Sequence, residues 1–302
     1  MKRTILLLSI LLASCQLITA QCCSPGNPVS GSEHTGTLPG KTLRTITFYR
    51  HSFSDTYYEV SDKSSYQGSR AGYDFIGEVI SYGFMNRLAV DAELGYYFNK
   101  FQDSDVLGKF TTHGFSNAVL SVKYAVLKTK KGLEVTVGSG IKMPIFHKTF
   151  TDEYGVPYTQ DIQPSTGAFG YVGQVYALKS LPLSKMRLVF NGRYEHNGYN
   201  NDDYRFGDAL ITSLFIGRTI TMNWSAVIQL RNEYRWEDFQ SKTRYLATGG
   251  DIIFVSPQIS HTFKNKMTVS ASTDLPVYRK YNGIQLGPKY AFGISLVKDF
   301  RL

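Results

Sequence analysis

Cysteine is scarce in this chain of 302 residues, and the few thiols present exclude one class of secreted protein. Only Cys15, Cys22 and Cys23 occur, and Cys15 lies within an N-terminal apolar segment. Three thiols, two of them adjacent, cannot supply the several cross-links of a disulfide-stabilised domain. We therefore exclude a disulfide framework.

Long apolar segments and charged residues are also few. Beyond residue 20, no uncharged apolar run reaches about 18 residues, so a transmembrane helix is not predicted. Charged residues make up 19% of the chain, whereas Tyr, Phe and Gly number 21, 19 and 27. This aromatic-rich and glycine-rich composition is unusual for a soluble secreted domain.

The first twenty residues have the organisation of an export signal. Lys2 and Arg3 form a charged start, Ile5–Leu12 forms an apolar segment, and the small residue Ala20 follows. The apolar segment is too short for a membrane-spanning helix but is typical of a secretory signal. We predict a signal peptide over residues 1–20, cleaved after Ala20.

A second interpretation of this segment involves lipid attachment at Cys15. The four residues Leu12–Cys15 resemble the lipobox of bacterial lipoproteins, in which the cysteine is lipidated. A lipobox normally ends the apolar segment, whereas here Leu17 and Ile18 continue it. Cleavage after Ala20 is therefore preferred to lipidation of Cys15.

The net charge of +9 does not require a nucleic-acid partner. A basic collar at one end of a membrane protein can face anionic headgroups, so we expect lipid and not nucleic acid as its partner. Much of the positive charge lies in five short connections without Asp or Glu: Arg87; Lys128, Lys130 and Lys131; Lys179 and Lys185; Arg218; Lys264 and Lys266.

The segment from Leu88 to Phe98 shows the clearest local pattern. Apolar residues occupy every second position, and Asp91 and Glu93 lie between them. This period of two indicates a β-strand with one apolar and one polar face. A helix would place Leu88 and Asp91 on one side and is rejected. The alternation recurs, with varying regularity, at 43–53, 73–82, 118–127, 133–143, 168–178, 187–195, 209–217, 224–236, 252–263, 267–275 and 289–300.

Strand length favours a membrane barrel over a soluble sheet. Soluble strands most often have about 5–6 residues. Eleven residues at roughly 3.3 Å each, tilted by about 40°, span on the order of 27 Å, which is close to the apolar band of an outer-membrane barrel. These strands therefore have the length that a membrane requires.

The connections alternate between short and long, as in barrels with short periplasmic turns and long outer loops. We predict an all-β fold, a transmembrane antiparallel up-and-down β-barrel of about 12 strands over residues 42–302. Residues 21–41 would form a periplasmic N-terminal tail. The predicted long loops are 54–71, 99–116, 144–167, 196–208, 237–250 and 277–287.

A β-propeller is the alternative fold, because hairpins recur about every 45 residues. A propeller blade packs four short strands into such a period and often carries a Trp-Asp pair. Here each period holds two long strands, and Trp224 and Trp236 are followed by Ser225 and Glu237. The barrel is therefore preferred.

The polar positions of the strands predict the lining of the lumen. Unpaired charges in a dry interior would each cost several kcal/mol, so these residues must face water or pair with each other. Two interpretations remain open: a hydrated pathway with weak charge selectivity, or a lumen filled by salt bridges. The predicted lining residues are Glu78, Asp91, Glu93, Lys123, Glu134, Lys142, Arg187, Arg193, Glu195, Arg231, Glu233 and Arg235.

The adjacent Cys22 and Cys23 are the most distinctive feature of the predicted tail. Such a pair could bind a soft metal, form a strained disulfide or exchange thiols with a periplasmic partner. Two cysteines without a nearby histidine make a poor zinc site, which requires four ligands. A plain tail or plug with incidental thiols is the favoured interpretation, and no cofactor is predicted.

The sequence offers little support for catalysis. His51 and Ser52 are adjacent and would point to opposite faces of a strand. His113 and Ser116 lie in or beside a predicted loop, and neither pair has an evident third group to orient it. There is also no phosphate-binding loop before a helix and no helical zinc motif. We therefore expect a protein that is not an enzyme.

The last strand, Gly293–Leu302, resembles the C-terminal insertion signal of Gram-negative outer-membrane proteins. It has a glycine, alternating apolar positions and a late aromatic residue, Phe300, which two further residues follow. The resemblance implies an outer-membrane location and contact with the barrel-insertion machinery during assembly. The chain as a whole resembles Bacteroidota-type outer-membrane barrels. It is also similar to the outer-membrane channels associated with phenol degradation, a likeness that covers the barrel pattern and carries over no site residue.

Three functions remain as hypotheses. The first is a passive or facilitating channel for small solutes. The second is a barrel anchor that binds a partner through the Cys22–Pro28 segment or the 144–167 loop. The third, and least favoured, is an outer-membrane hydrolase, which would need the fold to bring a His and a Ser together.

Overall fold

The computed structural model describes residues 36–65, 68–105, 108–146 and 148–302. The predicted signal peptide, Cys15, Cys22 and Cys23 lie outside the described residues. The described residues contain two 3-10 turns, Gln160–Ile162 and Pro182–Ser184, and no helix long and apolar enough to span a membrane. Nearly all of the remaining regular structure is β-strand.

Twelve long antiparallel strands form one closed sheet, and shorter strands lie at the end of the barrel that carries the long loops. Numbered along the chain, the long strands are β1 (Thr42–Ser54), β4 (Ser69–Met85), β5 (Leu88–Ser104), β7 (Ala118–Lys128), β8 (Leu133–Met143), β9 (Gly170–Leu181), β10 (Met186–Asn197), β12 (Ala209–Thr219), β13 (Trp224–Arg235), β16 (Gly250–Thr262), β17 (Met267–Tyr281) and β19 (Tyr290–Arg301). The short strands are β2 (Thr56–Glu59), β3 (Asp62–Lys63), β6 (Gly108–Phe115), β11 (Tyr204–Arg205), β14 (Asp238–Gln240), β15 (Thr243–Tyr245) and β18 (Ile284–Gly287).

The sheet closes because β1 pairs with β4 on one side and with β19 on the other. In the closing register Leu43 lies opposite Phe300, and Phe53 lies opposite Tyr290. Closure leaves no strand edge along the wall, which is the condition for placing a sheet in lipid. This confirms the predicted antiparallel barrel of about twelve strands, closed by the strand that contains Phe300.

The strand boundaries differ from the prediction mainly at the long-loop end. The strand β8 begins and ends as predicted, but β5 continues to Ser104 and β17 continues to Tyr281. The upper half of β5 pairs with β6 inside the predicted loop 99–116. Alternation of apolar and polar residues fades in these extensions because both of their faces carry polar groups.

The outward face of the barrel carries a belt of large apolar side chains. A continuous apolar surface of this kind is unfavourable in water and is the lipid-facing band of a membrane barrel. The chain is therefore an outer-membrane barrel. Exposed members of the belt include Leu120, Val122, Tyr124 and Val126 on β7, Leu214 and Ile216 on β12, and Ile228 and Leu230 on β13.

Part of the interior is also apolar, which the alternation did not predict. Buried aromatic and aliphatic side chains line one wall, around Phe48 and Phe75, and two glycines make room for their rings. A Cβ atom at Gly77 would lie 1.9 Å from the Phe48 ring, and one at Gly95 would lie 1.9 Å from the Phe75 ring. The full cluster is Ile46, Phe48, Tyr73, Phe75, Val79, Tyr97 and Val297; a second, on the opposite wall, is Tyr176, Val189, Phe215 and Val227.

Glu78 corrects the predicted lumen lining. On β4 the inward positions are held by buried residues such as Phe75 and Val79, while Glu78 shares the outward side with the exposed Ile76 and Ile80. The Thr47 hydroxyl donates a hydrogen bond of 2.5 Å to the Glu78 carboxylate. The prediction failed because this stretch of wall packs apolar side chains inward, so its polar residue faces outward.

Candidate functional site

A network of charges centred on Arg193 crosses the barrel interior. From β10, the Arg193 guanidinium donates to both carboxylate oxygens of Glu93 on β5, at 2.9 and 3.0 Å, and to Glu195 at 2.8 Å. Lys142 on β8 donates to the other oxygen of Glu195 at 3.0 Å. Since β7, β8 and β9 separate β5 from β10 in the wall, the Arg193–Glu93 pair forms a bridge across the lumen.

A second network lies on the other side of the interior. Arg231 on β13, only 1% exposed, forms ion pairs with Glu233 at 2.9 Å and with Asp274 on β17 at 3.1 Å. Arg50 on β1 reaches the same carboxylate oxygen of Asp274 at 2.5 Å. The Arg231 guanidinium also lies 4.5 Å from the centre of the Phe254 ring. Each cation in this group therefore has an oppositely charged partner.

The short-turn end of the interior holds a third group. Lys123 and Asp91 form a buried ion pair of 2.5 Å. Glu134 accepts hydrogen bonds of 2.9 Å from both the backbone N–H and the hydroxyl of Thr37. Lys128 lies 3.4 Å from the other Glu134 oxygen.

Residues 36–41 cross the barrel mouth at this end, and we call them the mouth segment. Gly36 contacts the Tyr176 ring on β9, and Leu38 is only 1% exposed. At its other end the segment meets β4, where the Lys41 N–H donates to the Gly83 carbonyl at 2.7 Å. It therefore runs from the β8–β9 wall to the β1–β4 wall and narrows the mouth.

At the opposite end, the loop over residues 144–169 folds into the lumen. Ile162 and Gln163 are buried at 2% and 3% exposure. The Thr112 hydroxyl donates to the Ile162 carbonyl at 2.6 Å, and the Lys100 ammonium donates to the Gln163 carbonyl at 2.9 Å. These two bonds fasten the loop to β5 and β6, so this end of the lumen is narrowed as well.

A cavity of about 130 Å³ lies beneath this inward loop, and we call it the upper cavity. Loop residues form its roof, and its walls combine charged and aromatic side chains. Its charged lining residues are Glu93, Lys100, Lys142, Asp161, Arg193, Glu195 and Arg235, and its aromatic lining residues are Phe75, Tyr97 and Phe206.

Asp161 is the most unusual group of the upper cavity. It lies in the 3-10 turn of the inward loop and is 7% exposed. Burial raises the pKa of Asp161 to about 8; repulsion from Asp238 adds to this rise, while Lys100 and Arg235 oppose it. At neutral pH the carboxyl is therefore mainly protonated and can donate a hydrogen bond.

The predicted lining residues occupy the interior with the exception of Glu78. Burial of charges costs several kcal/mol per ion unless each is paired and hydrogen-bonded, which accounts for the networks above. Arg235 lines the upper cavity, and Arg187 is half-buried at the short-turn end. The buried residues are Asp91, Glu93, Lys123, Glu134, Lys142, Arg193, Arg231 and Glu233.

Several interior charges escaped the sequence prediction. Lys100 and Asp161 fell within predicted loops, where strand alternation gives no signal. Arg50 and Asp274 lie at inward positions of predicted strands. Each is two positions from another polar inward residue, so the alternation could have identified both. No sequence pattern marks the inward fold of the 144–169 loop, since it depends on contacts with distant residues.

The candidate catalytic residues do not converge. His51 lies on the outward face, 2.8 Å from Asp74, whereas Ser52 is buried on the inward face. The His113 ring packs against Phe150, and the Ser116 hydroxyl donates to the Asn117 carbonyl. In the part of the chain that the structure describes, no three His, Cys, Asp or Glu residues are grouped as metal ligands.

Comparisons with known proteins identify a matching family and several structures with a similar barrel fold. Residues 100–281 match the family described as "Putative MetA-pathway of phenol degradation". That range includes most of the lumen network, from Lys100 to Asp274. No curated protein matches the chain.

Solved structures show the same barrel at low sequence identity. The COG4313 outer membrane channel from Pseudomonas putida F1 has a TM-score of 0.71 and 14% identity, with 89% of this chain and 99% of that chain covered. The beta domain of the Bordetella autotransporter BrkA has a TM-score of 0.51 and 12% identity, covering 85% and 99%. At 10% identity, the NalP translocator domain from Neisseria meningitidis has a TM-score of 0.50, covering 89% and 91%.

Proposed function

The chain belongs to the family described as "Putative MetA-pathway of phenol degradation", and from that premise we propose that it conducts small solutes across the outer membrane through its lumen. The observation that carries the proposal is the charged lining of the upper cavity, which combines both signs of charge with aromatic side chains. A solute entering from the outer side would meet this cavity first.

The chemistry of the interior supports a pathway over a purely structural core. Replacing a buried ion pair by apolar side chains of similar volume is often neutral or even stabilising. A barrel that only needed a filled interior could extend the apolar packing of Phe48 and Phe75 around the whole wall. Retaining Arg193, Glu93 and Lys142 inside the membrane is more readily explained by contact with polar solutes.

Conduction would require movement at both ends of the lumen. The inward loop covers the upper cavity on the outer side, and the mouth segment crosses the periplasmic side. Several hydrogen bonds fasten each of them, and an intramolecular hydrogen bond contributes about 0.5–1.5 kcal/mol net. Release of either segment therefore costs several kcal/mol, and we expect openings to be brief.

Planar-bilayer recording on the purified full-length protein tests the proposal, together with solute flux into liposomes. We expect discrete conductance steps and flux of small solutes. Lys142→Gln should shift the reversal potential toward cation selectivity, because it removes one lumenal positive charge while Arg193 still pairs with Glu195. Arg70→Gln removes a positive charge from the exposed outer face and serves as the matched control.

Two results would contradict the proposal. One is the absence of both conductance and flux in correctly folded barrels. The other is an equal effect of Lys142→Gln and Arg70→Gln on selectivity, since the current would then not pass the lumenal site.

A second candidate function is binding of a partner at the outer surface. The inward loop exposes Phe146, Tyr154 and Val156 above the barrel, with Tyr154 at 83% exposure. Apolar side chains grouped on a loop are typical of contact surfaces. If this loop binds a partner, Tyr154→Ser would reduce capture of that partner by the full-length protein while leaving conductance unchanged.

A further inference from the structure

The upper cavity has more cationic than anionic groups. Its lining contains four basic side chains, Lys100, Lys142, Arg193 and Arg235, and three carboxyl groups, Glu93, Asp161 and Glu195. Two of the carboxyl groups are engaged by Arg193 and Lys142. The third, on Asp161, is 7% exposed and lies near Lys100 and Arg235.

Protonation of Asp161 increases the excess of basic over acidic groups, because it neutralises one of the three carboxyl groups. Four titratable groups face it from different strands: Lys100 on β5, Arg235 on β13, Asp238 on β14 and Tyr204 on β11. Its pKa of about 8 leaves the carboxyl neutral at pH 7. A neutral Asp161 adds no negative charge and offers an O–H donor beside Lys100 and Arg235, while the Asp238 carboxylate accepts hydrogen bonds from the Tyr204 hydroxyl and the Gly207 N–H.

The size and apolar lining of the cavity limit the ligand further. Phe75, Tyr97 and Phe206 supply ring faces and edges alongside the charges. The volume of about 130 Å³ is close to the roughly 150 Å³ of an engineered apolar cavity that binds benzene. A molecule with one six-membered ring therefore fits.

We propose that the upper cavity is a binding site for an organic monoanion of about one aromatic ring, with its carboxylate among Lys100, Arg235 and Asp161 and its apolar body against Phe75 and Phe206. The inference rests on the proposed function, because it names the class of solute that would occupy the pathway. The protonated Asp161 donates a hydrogen bond to the carboxylate, and the two basic groups balance its charge.

Isothermal titration calorimetry on the full-length protein in detergent tests the site. Benzoate is the probe, and benzyl alcohol and benzylamine are its neutral and cationic counterparts of similar size. We expect benzoate to bind at least about tenfold more tightly than either at pH 7, since charges attract more strongly in a partly buried site than in bulk water. Equal affinities for the three probes would overturn the proposal.

The pH dependence gives a second readout. As pH rises through about 8, Asp161 loses its proton, becomes negative and repels the bound carboxylate, so benzoate affinity should fall by about tenfold between pH 7 and pH 9. Asp161→Asn keeps the shape and remains neutral, so its affinity should change little over that range. An Asn variant with the same pH dependence as the native chain would contradict the role of Asp161.

Arg235→Gln should weaken benzoate binding by about tenfold and leave benzyl alcohol binding unchanged. Lys130→Gln, in an exposed short turn, removes the same charge far from the cavity and should alter neither. Benzoate binding without any flux would sustain this site and contradict the channel. Conductance without a preference for benzoate would sustain the channel and contradict this site.

Discussion

At the scale of single residues, Arg193 shows how a buried charge becomes tolerable. Its guanidinium is only 4% exposed and contacts Glu93 and Glu195 through separate nitrogens. Planar forked donors suit such paired contacts, which compensate for the loss of water. The arrangement depends on all three groups, because removing the cation leaves two buried carboxylates near each other without it.

We predict that Arg193→Met destabilises the barrel by about 3–5 kcal/mol, the cost of leaving a buried charge without its partner. Urea unfolding in detergent micelles, followed by tryptophan fluorescence, measures the change. Adding Glu93→Gln to the variant should recover part of the loss. Arg70→Met breaks an exposed ion pair with Asp103 and should cost less than about 1 kcal/mol. Equal costs for the two arginine variants would show that the lumenal network is not the source of stability.

A second prediction at the scale of single residues concerns Gly95. The Phe75 ring lies over it so closely that any Cβ atom would overlap the ring. Gly95→Ala should therefore destabilise the barrel by about 1–3 kcal/mol through displacement of that ring. Gly173 on β9 has open space at the same atom position, so Gly173→Ala should be neutral or stabilising by up to about 1 kcal/mol. The same unfolding measurement applies, and a neutral Gly95→Ala would contradict the packing described.

At the scale of elements, the inward loop is attached both through its backbone and through its own side chains. Thr112 and Lys100 each donate to one of its carbonyl groups, and Asn117 and Asn200 contact Thr166 and Gln160. Contacts to backbone hold a loop in place whatever its side chains are, whereas the contacts to Thr166 and Gln160 depend on the loop sequence. The position of the loop is therefore set jointly by the neighbouring strands and by its own side chains.

Thr112→Val tests this attachment. The substitution preserves shape, removes the hydrogen bond to the Ile162 carbonyl and leaves that buried acceptor unpaired, at a cost of about 1–3 kcal/mol. Single-channel recording should then show larger or more frequent openings, since the loop is held less firmly. Thr262→Val removes a hydroxyl from an exposed position at the short-turn end and is the control. Unchanged gating in Thr112→Val would mean that the loop does not control passage.

At the scale of the whole molecule, the sequence predicts the wall better than the interior. Strands such as β8 were predicted from alternation alone, because one face meets lipid and the other does not. That rule fails where the interior is apolar as well, as around Phe75 and Val79, and so it misplaced Glu78. The cross-lumen pair Arg193–Glu93 joins residues 100 positions apart, and only closure of the sheet brings them together.

The start of the first barrel strand and the end of the last lie close together, and we predict that a circular permutant joined there would fold. The Leu302 N–H donates to the Lys41 carbonyl at 2.9 Å, so a short linker could join the ends without strain. Opening the chain at the exposed turn after Lys128 instead should yield a barrel that refolds in detergent and runs anomalously on unheated gels. Opening it between Gly138 and Ser139, within β8, should fail because that cut interrupts pairing with both β7 and β9.

The pairing of β1 with β19 also sets the order of assembly. It joins the first and last strands of the closed sheet, so it forms only after the rest of the chain is present. Until then both strands present unpaired edges, which readily pair with other chains. The entropic cost of bringing such distant segments together grows only slowly with their separation in sequence. Closure of the barrel therefore slows folding, and lengthens the exposure of unpaired strands, more than it lowers the final stability. The period between synthesis of β1 and arrival of β19 is therefore when this protein is most exposed to aggregation.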